Sequence, residues 1–256
     1  PRLAPLMVGT QQYQPQSFGR LERFRGGAWS DVLNQPDQYP ASMCVFDDDG
    51  PGPVPPALYI GGRTIAGSTQ VPLSRWDGAS LSPASSGLPG FVNTLGAVDA
   101  TGAGDQLYAL TYDIFNYKLY RRDGATWVLA ASLGDYGWAS DMVALDDDGP
   151  GPNPRSMFLI GSSFGHTFSA NGVARLINGE PHPPGDGLDN PVLSHFAGDI
   201  GAGRRLYAGG TFTLAGPQPV RSVAAWQPDG GGWTALGPGL AGDVTALRIH
   251  DDGHGL

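Results

Sequence analysis

Leu206-Tyr207-Ala208-Gly209-Gly210 and Leu58-Tyr59-Ile60-Gly61-Gly62 are nearly the same pentapeptide, an apolar run that ends in a glycine corner. Three looser copies are Leu6–Thr10 (LMVGT), Leu107–Thr111 (LYALT) and Phe158–Ser162 (FLIGS). Their fourth positions, Gly9, Gly61, Leu110, Gly161 and Gly209, are 52, 49, 51 and 48 residues apart. A near-constant period of about 50 residues matches one four-stranded β-propeller blade.

Each copy is followed by the same further elements. A second strand type runs into a tight turn: Phe24-Arg25-Gly26-Gly27, Trp76-Asp77-Gly78, Arg122-Asp123-Gly124, Ile177-Asn178-Gly179, and Trp226 ahead of Asp229-Gly230. Asp-Gly and Asn-Gly supply the positive φ that a short hairpin needs. The next strand opens on Trp29, Trp127 or Trp233 in three copies. A fourth type ends in Asp: Met43–Asp47, Leu95–Asp99, Met142–Asp146, His195–Asp199 and Leu247–Asp251. These elements predict one all-β domain over 1–256, with repeats at approximately 1–54, 55–105, 106–155, 156–205 and 206–256.

Composition agrees with strands and turns. The chain has 40 Gly and 23 Pro in 256 residues, placed at intervals between apolar runs as turn residues are. Hydrophobic residues make up 40% and charged ones 15%, which argues against disorder. Glu22 and Glu180 are the only glutamates and Lys118 the only lysine, so the acid is nearly all Asp, a turn former rather than a helix former. A net charge of −9 gives no electrostatic reason to bind nucleic acid or an anionic membrane. No apolar run approaches the roughly 20 residues of a membrane helix. Cys44 stands alone in an apolar strand and reads as a small buried hydrophobe. The chain begins at Pro1, as a processed or excised product would.

Gly209-Gly210-Thr211-Phe212-Thr213-Leu214-Ala215-Gly216, then Val223-Ala224-Ala225-Trp226, then Trp233-Thr234-Ala235-Leu236-Gly237, resembles a Gly- and Trp-rich repeat of large bacterial extracellular proteins. In layout it is similar to Kelch repeats. The likeness covers five repeats and is fullest in the second and fifth; the third lacks the Gly pair and the fourth both Trp positions. It implies a propeller and an extracellular or cell-surface setting.

In the Kelch-like order the Asp-ending strand is innermost and the Gly-corner strand is next. This chain starts on the second and ends on the first. The fold class is therefore an all-β, five-bladed β-propeller of four-stranded antiparallel blades. Its ring closes when the C-terminal inner strand Val244–Asp251 pairs with the N-terminal strand Leu6–Thr10. Such pairing leaves no open sheet edge at the seam. A β-solenoid or a piece of a larger propeller is the other reading.

Two faces follow. One collects the aspartate-rich turns, such as Asp47-Asp48-Asp49 and Asp146-Asp147-Asp148. Clustered carboxylates and a Gly turn suit calcium, but Pro51, Pro53, Pro150 and Pro152 stiffen these loops and no full ligand pattern is present. Solvated turn aspartates are the simpler reading; no cofactor or metal is expected. The histidines lack partners at zinc spacing. The Trp residues 29, 76, 127, 226 and 233 recur and read as packing between blades. The other face carries aromatics that do not recur, and these form the candidate ligand site: Tyr13, Tyr112, Phe115, Tyr117, Trp138, Phe164 and His166.

The reading for function is a non-catalytic, monomeric binding module that recognises a glycan or a protein through one loop face. Sugars stack on exposed rings, and five-bladed lectins of the tachylectin type are similar in blade number and repeat length. The alternative is a structural or interaction repeat of a larger surface protein with no small ligand. A hydrolase or lyase is the third reading; its candidate groups are Ser42, Asp141, Ser194 and His195 on inner strands, able to face one another around the channel.

Overall fold

The computed structural model describes residues 6–12, 18–33, 38–66, 69–113, 116–134, 137–146, 155–164, 172–201, 203–227 and 232–250. Within them the chain is all-β, with five sheets of three or four strands. The first holds β1 (Leu6–Gln12), β2 (Phe18–Arg25) and β3 (Ala28–Leu33). The second holds β4 (Tyr39–Phe46), β5 (Ala57–Ala66), β6 (Thr69–Trp76) and β7 (Leu81–Pro83). The third holds β8 (Phe91–Val98), β9 (Gln106–Asp113), β10 (Asn116–Asp123) and β11 (Thr126–Gly134). The fourth holds β12 (Gly137–Leu145), β13 (Ser156–Phe164), β14 (Val173–Ile177) and β15 (Glu180–His182).

The fifth begins with β16 (Val192–Asp199) and β17 (Arg204–Gly210). A small ribbon of β18 (Leu214–Ala215) and β19 (Gln218–Pro219) follows, before β20 (Val223–Gln227) and β21 (Gly232–Ala235) complete the sheet. In every sheet the strands neighbour one another in chain order. The Gly-corner strands are β1, β5, β9, β13 and β17, and four of the five Asp-ending strands form as β4, β8, β12 and β16.

Local chemistry accounts for the hairpins. In Gly26-Gly27 and Asn178-Gly179 both central residues have positive φ (62°, 83° and 54°, 82°). These pairs let β2–β3 and β14–β15 reverse in two residues, matching the right-handed twist of the strands. Asp77 instead uses its carboxylate, which accepts from Ala79 N and Ser80 N, both at 2.8 Å.

Two expectations from the sequence are not met. The inner strand expected over Val244–Asp251 is not formed; residues 244–250 carry no strand, and the first sheet has three strands. Val244 N donates to Gly210 O at 3.1 Å, so this segment is tied to β17 by an isolated bond rather than by a ladder. Trp29 also departs: Trp127, Trp226 and Trp233 are buried as recurring packing residues should be, but Trp29 is exposed beside Phe24.

By Cα proximity the chain forms two compact units, Pro1–Ala97 with Leu107–Ile114 and Tyr120–Val128, and Val98–Gln106 with Phe115–Leu119 and Leu129–Leu256. The core of the first gathers Tyr59, Leu73, Val92, Leu107 and Trp127, with Leu21, Leu33 and Ile60 as a satellite. The core of the second gathers Phe158, Ile160, Leu206, Phe212, Trp226 and Trp233. Each fully buried large side chain contributes about 1.5–3 kcal/mol by leaving water.

Candidate functional site

The Asp-ending strands share an irregularity that shapes the site. The ladder between β4 and β5 slips between Pro40 and Ser42, that between β12 and β13 on either side of Ala139, and that between β16 and β17 between Val192 and Ser194. Ala41, Ser140 and Leu193 are left without a partner opposite. All three stand six residues before the terminal Asp of their strand, namely Asp47, Asp146 and Asp199. Such bulges bend a strand and re-aim the side chains beside them.

In the second unit the residues at and beside two of these bulges line a cavity of about 400 Å³. Its polar lining is Ser140 and Asp141 from β12, Ser194 and His195 from β16, and Thr245 and Arg248 from the C-terminal segment. Apolar wall comes from Ile160, Leu193, Ala246 and Leu247. Counted back from Asp146, Asp199 and Asp251, the lining residues occupy the same few offsets in three successive repeats.

The groups have distinct environments. His195 is mostly buried, whereas Asp141 is about half exposed, and His195 Nε2 lies 3.8 Å from Asp141 Oδ2. That is an electrostatic distance rather than a hydrogen bond. Burial pushes the His195 imidazole below its ordinary value; Asp141 opposes this and Arg248 reinforces it. The imidazole is therefore neutral at pH 7. Asp141 Oδ1 accepts from Met142 N at 2.8 Å, and the Ser140 hydroxyl donates to Ile160 O at 3.2 Å. Ser194 lines the cavity, and its Oγ is buried away from solvent with no hydrogen-bond partner.

The inner-strand groups Asp141, Ser194 and His195 thus come together. Ser42 lies in the first unit, where its hydroxyl accepts from Leu95 N at 2.9 Å, a bond from one Asp-ending strand to the next. Sequence reading missed Ser140, Thr245 and Arg248. The signal was present in their offsets from the terminal Asp of each repeat.

The aromatic loop site fares differently. Tyr13, Phe115 and His166 lie outside the described residues. Tyr112 and Tyr117 are in strands β9 and β10, not in a long loop; the connection between those strands is two residues, 114–115. Trp138 and Phe164 likewise fall in β12 and β13, opposite Ser163 and Gly137, and their side chains lie outside the description. The strands simply run further than the turn residues suggested. Tyr112 is exposed and Tyr117 half-buried.

The turn aspartates have local partners. Asp48 pairs with Arg75 at 2.8 Å and Arg122 at 3.1 Å, and it accepts from the Tyr59 hydroxyl. Asp49 accepts from Val54 N, Asp199 from Gly201 N, and Asp99 from both Gly102 N and Arg155. Among the described residues no group of three or more His, Cys, Asp or Glu side chains converges as a metal site would require. In comparisons with known proteins, the chain matches no family model, no curated protein and no solved structure.

Proposed function

We propose that the chain is a five-bladed β-propeller serving as a non-catalytic extracellular binding module that takes a sugar residue of a glycan in the cavity at its inner strands. The observation that carries this reading is the lining of that cavity: a carboxylate, a guanidinium, a neutral imidazole and three hydroxyls around about 400 Å³. This falls within the range of roughly 300–1,000 Å³ for small-ligand pockets. Sugar hydroxyls need donors and acceptors in fixed directions, which Arg248, Asp141 and His195 supply. The C–H face of a sugar ring needs apolar wall, which Leu193, Ile160 and Leu247 supply.

A hydrolase reading is less well supported. Proton relay needs partners about 2.6–3.2 Å apart, and Asp141 and His195 are 3.8 Å apart. The propeller reading is supported by a correspondence between repeats. A methyl group added at Gly61 in β5 would collide with Val92 of the next Asp-ending strand, and one added at Gly209 in β17 would collide with Val244. Val92 and Val244 both stand seven residues before the terminal Asp, Asp99 and Asp251. The C-terminal segment therefore meets β17 as a following inner strand would.

The test is a glycan array followed by calorimetric titration of the best ligand. Arg248→Ala and Asp141→Asn are expected to weaken binding at least about tenfold, since a hydrogen bond to a charged group is worth about 1.5–3 kcal/mol. No binding by the intact chain, or binding indifferent to both substitutions, overturns the reading; release of reducing sugar in the same samples points to the hydrolase.

A further inference from the structure

The guanidinium groups of the chain differ in what they meet. Arg75 and Arg122 pair with Asp48 at 2.8 and 3.1 Å, and Arg155 pairs with Asp99 at 3.0 Å. All three use turn aspartates, so their charge is balanced within the fold. Arg248 is different: it stands exposed on the cavity wall, and no carboxylate of the described residues lies within ion-pair distance of it. Asp141 shares the cavity but is turned elsewhere. Its Oδ1 accepts from Met142 N at 2.8 Å, and its Oδ2 faces His195 Nε2 at 3.8 Å. His195 feels the charges of both Asp141 and Arg248, and as a neutral imidazole at pH 7 it adds none of its own. The lining thus presents one uncommitted cation and one carboxylate.

These two charges select between ligands. A guanidinium holds its N–H donors in a planar fork that matches the two oxygens of a carboxylate, and such a pair is about twice as strong as a neutral hydrogen bond. A neutral sugar offers that fork single hydroxyls and leaves the charge unmatched. A sulfate or phosphate ester brings a third oxygen, for which the described lining holds no second cation. Asp141 sets the other end of the site. A carboxylate only accepts, so it takes the donating hydroxyls of a ring and repels a second anionic group. The net charge of −9 does not forbid an acidic ligand. Salt screens that charge beyond about 8 Å at physiological ionic strength, whereas Arg248 acts at contact.

We infer that the sugar residue taken by this cavity is an acidic one, with its carboxylate on Arg248 and its ring hydroxyls on Asp141 and His195. This specificity rests on the sugar reading proposed above, to which it adds the charge of the ligand.

The test is an array carrying neutral, sulfated and carboxylated glycans, the last with uronic or sialic acid termini. The best carboxylated glycan is then titrated calorimetrically as the free acid and as its methyl ester. The ester keeps the ring and every hydroxyl and removes the charge. The expected result is binding to carboxylated glycans, weakened at least about tenfold by esterification. Arg248→Gln changes an exposed side chain, so it should melt with the intact chain, yet bind acid and ester alike. Selection of neutral or sulfated glycans, or equal binding of acid and ester by the intact chain, overturns the acidic specificity and leaves the sugar reading standing. A preference for the acid that survives Arg248→Gln overturns it too, because another cation then holds the carboxylate. Binding to nothing on the array overturns both readings.

Discussion

Asp48 shows how one carboxylate becomes structural. It receives Arg75 from its own sheet, Arg122 from β10 and the hydroxyl of Tyr59, a fully buried ring that Arg122 also covers with its guanidinium carbon 5.0 Å from the centroid. Burial, and then the hydrogen bond to Asp48, push the Tyr59 hydroxyl up to about 12, so it stays a donor throughout the physiological range. His195 is the residue whose charge state matters to the cavity. Its folded value is depressed, so the unfolded chain binds the extra proton first. Its contribution to stability is present above the unfolded value of about 6.5 and is lost as pH falls through the folded one. Melting temperatures from pH 8 down to pH 4.5 should therefore fall more steeply for the intact chain than for His195→Gln; parallel curves would show that burial of this imidazole carries no linkage. Asp141, Ser194 and His195 were legible in the sequence as polar residues on apolar inner strands. Arg248 was not, because a lone Arg near a chain end has nothing in its neighbours to distinguish it from a solvated side chain.

At the scale of the element, the two glycines of the Gly-corner strand have separate reasons. The first, Gly61 or Gly209, admits a valine: Val92 of β8 against Gly61 and Val244 of the C-terminal segment against Gly209. The second, Gly62 or Gly210, admits a backbone carbonyl from its own Asp-ending strand: Tyr39 O against Gly62 and Pro191 O against Gly210. Gly62 also has a φ of 121°, which side chains rarely adopt. Gly62→Ala therefore meets both a clash and backbone strain, and should lower stability by about 1–3 kcal/mol in urea unfolding; a change under about 0.5 kcal/mol would mean that the bulge beside it relaxes freely. Strand positions were readable because the apolar runs and Gly punctuation are local signals. Strand ends were not. Tyr112, Tyr117, Trp138 and Phe164 read as loop residues, yet ladder hydrogen bonding extends past the apolar run until the chain must turn, and polar or aromatic residues pair as readily as apolar ones once their neighbours are in register.

For the whole molecule, the decisive region is the C-terminal segment. Val244 packs against Gly209, and residues 245–248 form one wall of the cavity. Truncation before Val244 should cost the chain the packing against Gly209 and, under the proposed function, its glycan binding. We expect the melting temperature to drop by roughly 4 °C or more, about the shift that 1–2 kcal/mol produces in a chain of this size, together with loss of glycan binding. Calorimetry of the truncated chain measures both, and a melt unchanged from the intact protein would exclude closure by this segment.

The sequence by itself determined the all-β class, the repeat of about 50 residues and the positions of most strands, though not of their ends or of the strand expected over Val244–Asp251. These depend on interactions within a few residues: backbone φ at Gly and Asn, alternation along a strand, and Asp carboxylates accepting from the next turn. Only the tertiary structure decided that Asp141, His195 and Arg248 line one cavity, that Asp48 gathers Arg75 and Arg122, and that Trp29 stands open where its counterparts are buried. The partners in each of these groupings come from different strands or repeats, and their meeting is set by how the sheets pack and where a bulge re-aims a side chain, neither of which any short stretch of chain encodes.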